Sequence, residues 1–263
     1  MQPLNVLVVG EGRTLPLLGQ SKFLNKLYLA SNSEFSGAIS INFNTFRELA
    51  QKCKALKIDI VIVEDEKPIQ QGITDVLRKN LVNVFAPYSI NCELFSYNSS
   101  CKIKLAKYGI KTPKTMLYPA SFPIRVRADG INQIAYNMEE LIKIREEINS
   151  YPLSVIESTC IEEYLGKENL ELVSLFDGKT LLSFYPNNLD EAQKTKLQEY
   201  SQNLQNLFIT EKYDFIGFVS SKLTWFENNW YNQGFGIGFP KPEIDFIYLL
   251  LSAIYQKLDE ISL

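Results

Sequence analysis

The stretch Asn5-Val6-Leu7-Val8-Val9, followed at once by Gly10-Glu11-Gly12, decides the fold. An apolar run that ends in glycines is typical of a buried strand leading into a tight turn. A second such run, Ile58 to Val63, is also nearly all apolar. Strands of this kind are covered on both faces, as in a parallel sheet with helices on either side. The two runs therefore predict a small doubly wound α/β domain across residues 4–87.

The segments around these two strands fit the same prediction. Phe46, Leu49 and Cys53 recur at helical spacing, and Asn44 is a candidate N-cap for their helix. Strands that alternate with helices are typical of parallel sheets. The remaining predicted elements are strands at residues 26–30 and 82–86 and helices at 45–56 and 69–79.

The rest of the chain has a different pattern, in which hairpins are mixed with helices. Asp177-Gly178 is a strong hairpin signal, and Gly217 to Leu223 returns through Glu227-Asn228-Asn229 as a second hairpin. These features predict an α+β half, with the domain boundary near residues 87–91. The other predicted elements are a strand at 124–128 and helices at 99–108, 138–148, 189–207 (capped by Asn187 or Asn188) and after Pro242.

Charge and hydropathy limit the partners. The net charge is −3, and no run of five like charges occurs. This argues against a nucleic-acid or anionic-membrane partner, because such partners need clustered Lys and Arg. The longest apolar run, Phe246 to Tyr255, is too short to span a bilayer. Met1 to Leu4 leads straight into a strand without a signal-peptide pattern, so we expect a cytoplasmic protein.

The chain contains no histidine. This excludes Ser-His-Asp and Cys-His mechanisms within it and removes the commonest metal ligand. The four cysteines, Cys53, Cys92, Cys101 and Cys160, form no C-x-x-C pair. Zinc and redox motifs are therefore absent, and we expect reduced, mostly buried thiols.

Several segments, in order along the chain, resemble one enzyme family. Asn5 to Gly12 is similar to its opening strand and glycine loop, and Ile58 to Ile69 to its strand with a Gly-Pro-Glu-x-Pro-Leu loop. The other matching segments are Val84-Phe-Ala-Pro87, Lys111-Thr-Pro113, Arg127-Ala-Asp-Gly130, Ile161-Glu-Glu-Tyr-Leu165 and Gly217-Phe-Val219. The family that this series resembles is phosphoribosylamine–glycine ligase, an ATP-grasp ligase of purine biosynthesis.

The resemblance implies a phosphoribosylamine-binding-like domain over residues 1–88 and a reduced ATP-grasp domain over 89–263. Within the second domain, residues 116–186 would form a small subdomain. The resemblance also implies two residual groups of ligand-binding residues, one for the phosphoribosyl group and one for ATP. On the phosphoribosyl side they are Gly10, Gly12, Arg13, Glu66 and Pro68, and on the ATP side Arg127, Glu163, Tyr164, Leu165 and Glu168.

The phosphoribosyl side departs from the family pattern. In the family, a glycine loop with adjacent glycines followed by Arg-Glu-His cradles the phosphoribosyl group. In this chain one glycine and the Glu-His pair are missing, and Glu11 adds a negative charge. Glu64 and Asp65 replace Gly-Pro in the second loop. With Glu66 they form a run of carboxylates that repels a phosphate within roughly 8 Å. A residual phosphate site and a tight turn beside a solvated acidic loop both remain open, and we favour the solvated loop.

The ATP side has lost more polar groups. Asn98 stands at a phosphate-binding lysine, and Ile131 to Ile134 replace a mobile glycine-lysine-glycine flap. In Gly234-Phe-Gly-Ile-Gly-Phe239, glycines stand at the three polar positions of the family's Glu-Phe-Asn-Cys-Arg-Phe, which holds Mg²⁺ and the ATP phosphates. Glycine has no side-chain oxygen to bind a metal ion. Glu227 and Asn229 keep the family's E-x-N spacing, but they occupy the expected hairpin turn. We therefore predict no catalytic or metal-binding residues, argue against Mg²⁺, and leave ATP open as a ligand.

Two family segments have no counterpart, one between Phe184 and Leu189 and one beyond residue 263. The leading hypothesis is a shortened, catalytically degenerate relative that binds a nucleotide or sugar phosphate, or a protein partner such as an intact ligase. One alternative is an active ATP-dependent ligase with a rebuilt site. Another is a purely structural interaction protein, with exposed side chains such as Tyr231 and Asn232 at its interface.

Overall fold

The computed structural model describes residues 3–31, 35–96, 99–128, 131–240 and 245–261. Within these residues, one five-stranded sheet and two four-stranded sheets form the frame. The predicted order, a small doubly wound α/β unit followed by an α+β half, is confirmed. No helix among the described residues is both long and apolar enough to cross a bilayer.

The N-terminal unit is a parallel sheet flanked by helices. It contains β1 (Leu4–Val9), α1 (Leu15–Leu18), β2 (Leu24–Ala30), β3 (Ile39–Ser40), α2 (Phe46–Ala55), β4 (Ile60–Val63), α3 (Glu66–Gln70), α4 (Ile73–Lys79) and β5 (Asn83–Phe85). The strand order is β3-β2-β1-β4-β5. Because Val9 pairs with Val63, the carboxyl ends of β1 and β4 lie side by side. The loops that follow these two strands therefore meet, at the usual ligand position of such a sheet.

Some local predictions in this unit are corrected. The helix predicted at 69–79 is divided, because Gly72 has a left-handed conformation (φ 85°) between α3 and α4. The cap of α2 is Thr45 rather than Asn44, since the Thr45 hydroxyl accepts the N–H of Glu48 at 3.1 Å. Elements α1 and β3 were not predicted, because four and two residues are too few to show a period.

The second half has two antiparallel sheets. In chain order its elements are α5 (Glu93–Ser96), α6 (Ser99–Lys107), β6 (Thr115–Met116), β7 (Ile124–Ala128), β8 (Ile131–Ala135), α7 (Met138–Ile148), α8 (Leu153–Glu157), β9 (Cys160–Glu163), β10 (Leu170–Phe176), β11 (Leu181–Phe184), α9 (Glu191–Thr210), β12 (Gly217–Phe226), β13 (Asn229–Gly236) and α10 (Phe246–Ile254). The large antiparallel sheet has the order β11-β10-β12-β13, and the small sheet has the order β6-β9-β7-β8.

Both predicted hairpins are present. Asp177 follows β10, and its Oδ1 accepts the N–H groups of Lys179 and Thr180 at 2.9 and 2.6 Å. Glu227 and Asn228 join β12 to β13 with positive φ angles of 46° and 56°. A type I′ turn requires such angles at both central residues.

Two predictions about single side chains in this half are wrong. Helix α9 is capped by Asp190, which forms a reciprocal capping box, rather than by Asn187 or Asn188. Asn232 is not exposed but fully buried, and its Nδ2 donates to the Tyr200 hydroxyl of α9 at 2.7 Å. Asn232 therefore supports the packing of β13 on α9 and is not available to a partner.

A buried core joins the two halves. One cluster contains Phe85 of β5, Phe218 of β12 and Phe246 of α10. The rings of Phe218 and Phe246 are stacked, with centroids 5.7 Å apart. Ala86 also forms a bridge with Ile216, directly before β12. This packing fixes the end of the first sheet against the large antiparallel sheet.

Candidate functional site

Glu64 is the first residue after β4, and its side chain reaches into the turn that follows β1. Its backbone N–H donates to the Val9 carbonyl at 2.9 Å, which extends the pairing of the two strands by one residue. A Cβ on Gly10 would lie 2.8 Å from the Cβ of Glu64. Only glycine therefore permits this approach of the two loops.

The Glu64 carboxylate accepts four hydrogen bonds inside the turn. One oxygen accepts the backbone N–H groups of Gly12 and Arg13 at 2.7 and 2.8 Å, and the other accepts the N–H and the hydroxyl of Thr14, both at 2.7 Å. Consecutive N–H groups in such a turn form a nest that attracts anions. Glu64 is fully buried, so our interpretation of it as part of a solvated acidic loop is wrong. The nest is occupied by an anion that belongs to the chain itself.

Arg13 connects the glycine loop to the end of β13. Its guanidinium donates to the Glu64 carbonyl and, at 3.3 Å, to the Ile237 carbonyl. It also lies 3.6 Å from the Asp65 carboxylate and 5.5 Å from the centre of the Phe239 ring. The positive charge of Arg13 is therefore directed toward groups of the protein.

A cavity of about 490 Å³ lies at the carboxyl ends of β1, β2 and β3. Gly10 and Pro68 of the predicted phosphoribosyl side line it, together with Glu11 and Asp65. Burial raises the pKa of Asp65, and the negative charge of Glu11 adds to this, against the opposing charge of Arg13. The other lining residues are Val9, Ala30, Ser31, Ile41, Asn42 and Phe43.

Glu66 lies apart from the lining of the cavity, next to the glycine-rich end of β13. A Cβ on Gly236 would lie 3.3 Å from Glu66 Oε1, and a Cβ on Gly238 would lie 3.0 Å from Glu171 Oε1. Burial raises the pKa of Glu66, and the charge of Lys222 opposes this. Within the described part of the chain, no group of three or more His, Cys, Asp and Glu side chains is placed to hold a metal ion.

Glu162 of β9 is a second fully buried carboxylate. Lys102 Nζ of α6 lies 2.6 Å from its Oε1, and Arg127 Nε of β7 lies 3.3 Å from its Oε2. The resemblance assigns Arg127 to the ATP phosphates. In the structure the charge of Arg127 is compensated within the protein, and so is that of Lys102.

Arg125, also on β7, connects the small sheet to β13. Its guanidinium donates to the side-chain oxygen of Gln233 and lies 3.5 Å from Glu168 and 5.5 Å from the centre of the Tyr164 ring. Gln233 is the extra residue of a β-bulge, since Leu223 pairs with Asn232 and the next partner of β12 is Gly234. The bulge places an amide where Arg125 can reach it.

The predicted ATP-side residues are only partly brought together. Tyr164 and Glu168 meet at Arg125, whereas Glu163 accepts a backbone N–H at 2.9 Å at the edge of the small sheet. Leu165 is buried. Asn98, the predicted lysine replacement, lies outside the described residues.

The sequence pattern did not predict Lys102, Arg125 and Glu162 as site residues. Arg125 carries a usable signal, because it stands two positions before Arg127 and alternate residues of a strand share a face. Lys102 and Glu162 carry no such signal, since they come from a helix and a strand that only the tertiary fold brings together.

Residues 4–94 match the family model of the phosphoribosylglycinamide synthetase N domain. The phosphoribosylamine–glycine ligase of Rhizobium meliloti is 26% identical to the chain over 204 residues, which are 68% of this chain and 48% of that protein. The chain thus spans about half the length of the curated relatives it matches.

Solved structures show the same fold at low sequence identity. Phosphoribosylamine–glycine ligase from Thermotoga maritima superposes with a TM-score of 0.72 at 16% identity, covering 96% of this chain and 76% of that one. An L-amino acid ligase from Bacillus licheniformis gives 0.70 at 13% identity, covering 98% and 77%. The chain therefore has the fold of the ATP-grasp ligases, and its residues 4–94 are similar to the N domain of the phosphoribosylglycinamide synthetases.

Proposed function

We propose that this chain is a phosphoribosylamine–glycine ligase-like protein that does not catalyse the ligation. Its own carboxylates stand where that reaction needs room for phosphate groups. The observation that carries the proposal is Glu64, whose carboxylate takes the N–H groups of Gly12, Arg13 and Thr14. A phosphate entering this nest would have to displace a buried carboxylate bound by four hydrogen bonds.

The ATP side supports the same proposal. Phosphoryl transfer is catalysed mainly by cations fixed around the transferring group. Lys102 and Arg127 both bind Glu162, and the strand that holds the metal in the resembled family ends here in Gly234, Gly236 and Gly238. The charge of a γ-phosphoryl group would find little compensation in this arrangement.

A small-molecule binding role remains, because the cavity at the sheet ends has a volume of about 490 Å³, within the usual range of ligand pockets. The contacts of Glu64 weigh against a sugar phosphate as its occupant. Binding of a nucleotide on the ATP side, a protein partner such as an intact ligase, and a cytoplasmic location stay predictions.

The direct test measures ADP release by the purified chain with ATP, Mg²⁺, glycine and phosphoribosylamine generated in place. The Thermotoga maritima ligase, assayed in the same mixture, shows that the substrates are competent. We expect no ADP above the protein-free rate. Stoichiometric release of ADP with formation of the ligated product would overturn the proposal.

A rebuilt active ligase is the second candidate, and a specific observation favours it. Glu66 and Glu171 both approach the glycine-rich end of β13, and the charge of Lys222 acts on Glu66. In such an enzyme these side chains would replace the lost polar groups. Complementation of a purine auxotroph by this gene, abolished by Glu66→Gln and by Glu171→Gln, would establish it. We expect no complementation by the unaltered gene.

A further inference from the structure

We propose that the cavity at the carboxyl ends of β1, β2 and β3 binds a small molecule that carries a positively charged amine and no phosphate. This inference rests on the proposed function, in that it takes the anion-binding nest to be closed by Glu64. It names the chemical class of ligand that the same site still accepts.

The place and size of the cavity suit a ligand. Its walls come from the loops after neighbouring parallel strands, through Gly10, Ser31, Asn42 and Asp65. Loops of this kind form the ligand crevice of doubly wound sheets. A volume of about 490 Å³ accommodates a molecule of sugar or amino-acid size.

The charges around the cavity favour a cation. Glu11 and Asp65 line it, and none of the described lining residues is a Lys or an Arg. Lys52 donates to the carbonyl of the lining residue Asn42, but its charge is paired with Glu48 at 2.8 Å. The two loops that meet here contain three carboxylates, those of Glu11, Glu64 and Asp65, against the single guanidinium of Arg13. Arg13 is bound to Asp65 and to the carbonyl oxygens of Glu64 and Ile237. The remaining negative potential attracts an ammonium group and repels a phosphate.

The rest of the wall suits an amine that also carries hydroxyl groups. Ser31 and Asn42 add neutral polar side chains that can donate and accept hydrogen bonds. Phe43 adds an aromatic side chain, whose face attracts a cation. The turn could bind an anion through its consecutive backbone N–H groups, but these already donate to Glu64.

Three small probes of matched shape test the proposal. Ethanolamine is cationic, ethylene glycol is its neutral counterpart, and O-phosphoethanolamine adds a phosphate. Each is titrated to about 50 mM into the full ¹⁵N-labelled chain, because ligands of this size bind in the millimolar range. The amide signals of Gly10, Ser31 and Asn42 report binding at the cavity.

We expect ethanolamine to shift these signals saturably, and the other two probes to bind at least about tenfold more weakly. Asp65→Asn and Glu11→Gln should each weaken ethanolamine binding several-fold. Glu139→Gln removes a carboxylate from the exposed face of α7 and should change nothing. Glu11 is itself exposed, so its variant keeps the test valid if Asp65→Asn does not fold.

Equal binding of ethylene glycol, tighter binding of O-phosphoethanolamine, or no saturable shift with ethanolamine would each overturn the inference. The ADP-release assay remains a separate measurement. Ligase activity there would refute the proposed function, whereas failure of ethanolamine to bind would refute only the ligand class.

Discussion

At the scale of single residues, the placement of two glutamates determines what the site can bind. Glu64 is buried with its charge fully hydrogen-bonded to the turn after β1, and Glu162 is buried between Lys102 and Arg127. A buried carboxylate is tolerated only where donors or cations compensate it. Under the proposed function, each glutamate uses the donors or cations that a phosphate would need.

Glu66 allows a prediction about pH. Burial raises its pKa above the usual 4.5, so the fold disfavours the ionised form. The contribution of protonated Glu66 to stability is fully present below the pKa that this group has in the unfolded chain. It is lost as the pH rises through the higher pKa that the group has in the folded protein. Glu66→Gln, which stays neutral, should therefore raise the free energy of unfolding near pH 7.

Urea unfolding at about pH 4 and about pH 7 measures this difference. The gain of Glu66→Gln over the unaltered chain should shrink at the lower pH, where Glu66 becomes protonated. Glu139→Gln on the exposed surface of α7 serves as the control. A loss of stability in Glu66→Gln at neutral pH would contradict the account.

At the scale of the elements, the sequence is most informative where side chains repeat with a period. The apolar runs of β1 and β4 and the Asp177-Gly178 turn were recognised because these signals are local. The buried state of Glu64 was not, because its partners Gly12 and Thr14 lie in a loop that becomes adjacent only when β1 pairs with β4. Once the pairing is known, the sequence does show a signal: a carboxylate follows β4, and a glycine turn follows β1, the strand beside it.

The contact between β12 and β5 gives a prediction at this scale. A Cβ on Gly217 would lie 3.0 Å from the Ala86 nitrogen and 3.1 Å from its Cα. Because these are backbone atoms, the strands must separate to admit it, and Gly217→Ala should lower the free energy of unfolding by about 1–3 kcal/mol. Urea unfolding measures the loss. Gly19→Ala is the control, because Gly19 has helical backbone angles, and it should lower the free energy of unfolding by less. If Gly217→Ala lowers it by the same amount as Gly19→Ala or by less, the strands separate easily.

At the scale of the whole molecule, internal charge pairs and packing hold the parts of an ATP-grasp fold together. Arg125 connects the small sheet to β13 through Gln233, and Arg13 connects the glycine loop to the end of the same strand. Alternating strands and helices were enough to predict the N-terminal α/β unit, and the order of family-like segments was enough to predict the ATP-grasp fold and the relationship. The connections themselves depend on long-range contacts and had no sequence pattern.

Glu162→Gln tests the charge pairs of the ATP side. The substitution leaves Lys102 and Arg127 with a neutral partner of the same size, so the free energy of unfolding should fall by about 3–5 kcal/mol. Millimolar ATP should then restore part of the loss by compensating the two cations. Thermal unfolding with and without ATP measures both effects.

The unaltered chain should respond to ATP less than Glu162→Gln does, and Glu162→Asp, which keeps the charge, should behave more like the unaltered chain. Stabilisation of the unaltered chain by ATP to the same extent as the variant would mean that Glu162 does not keep Lys102 and Arg127 from binding ATP.

The most direct measurement is a titration with inorganic phosphate of the unaltered chain and of Glu64→Gly, followed by thermal unfolding. We predict that phosphate leaves the unaltered chain unchanged, while Glu64→Gly is less stable alone and is restored in a saturable way as phosphate enters the vacated nest. Equal stabilisation of both proteins, or a folded Glu64→Gly that ignores phosphate, would contradict the claim that Glu64 occupies an anion site.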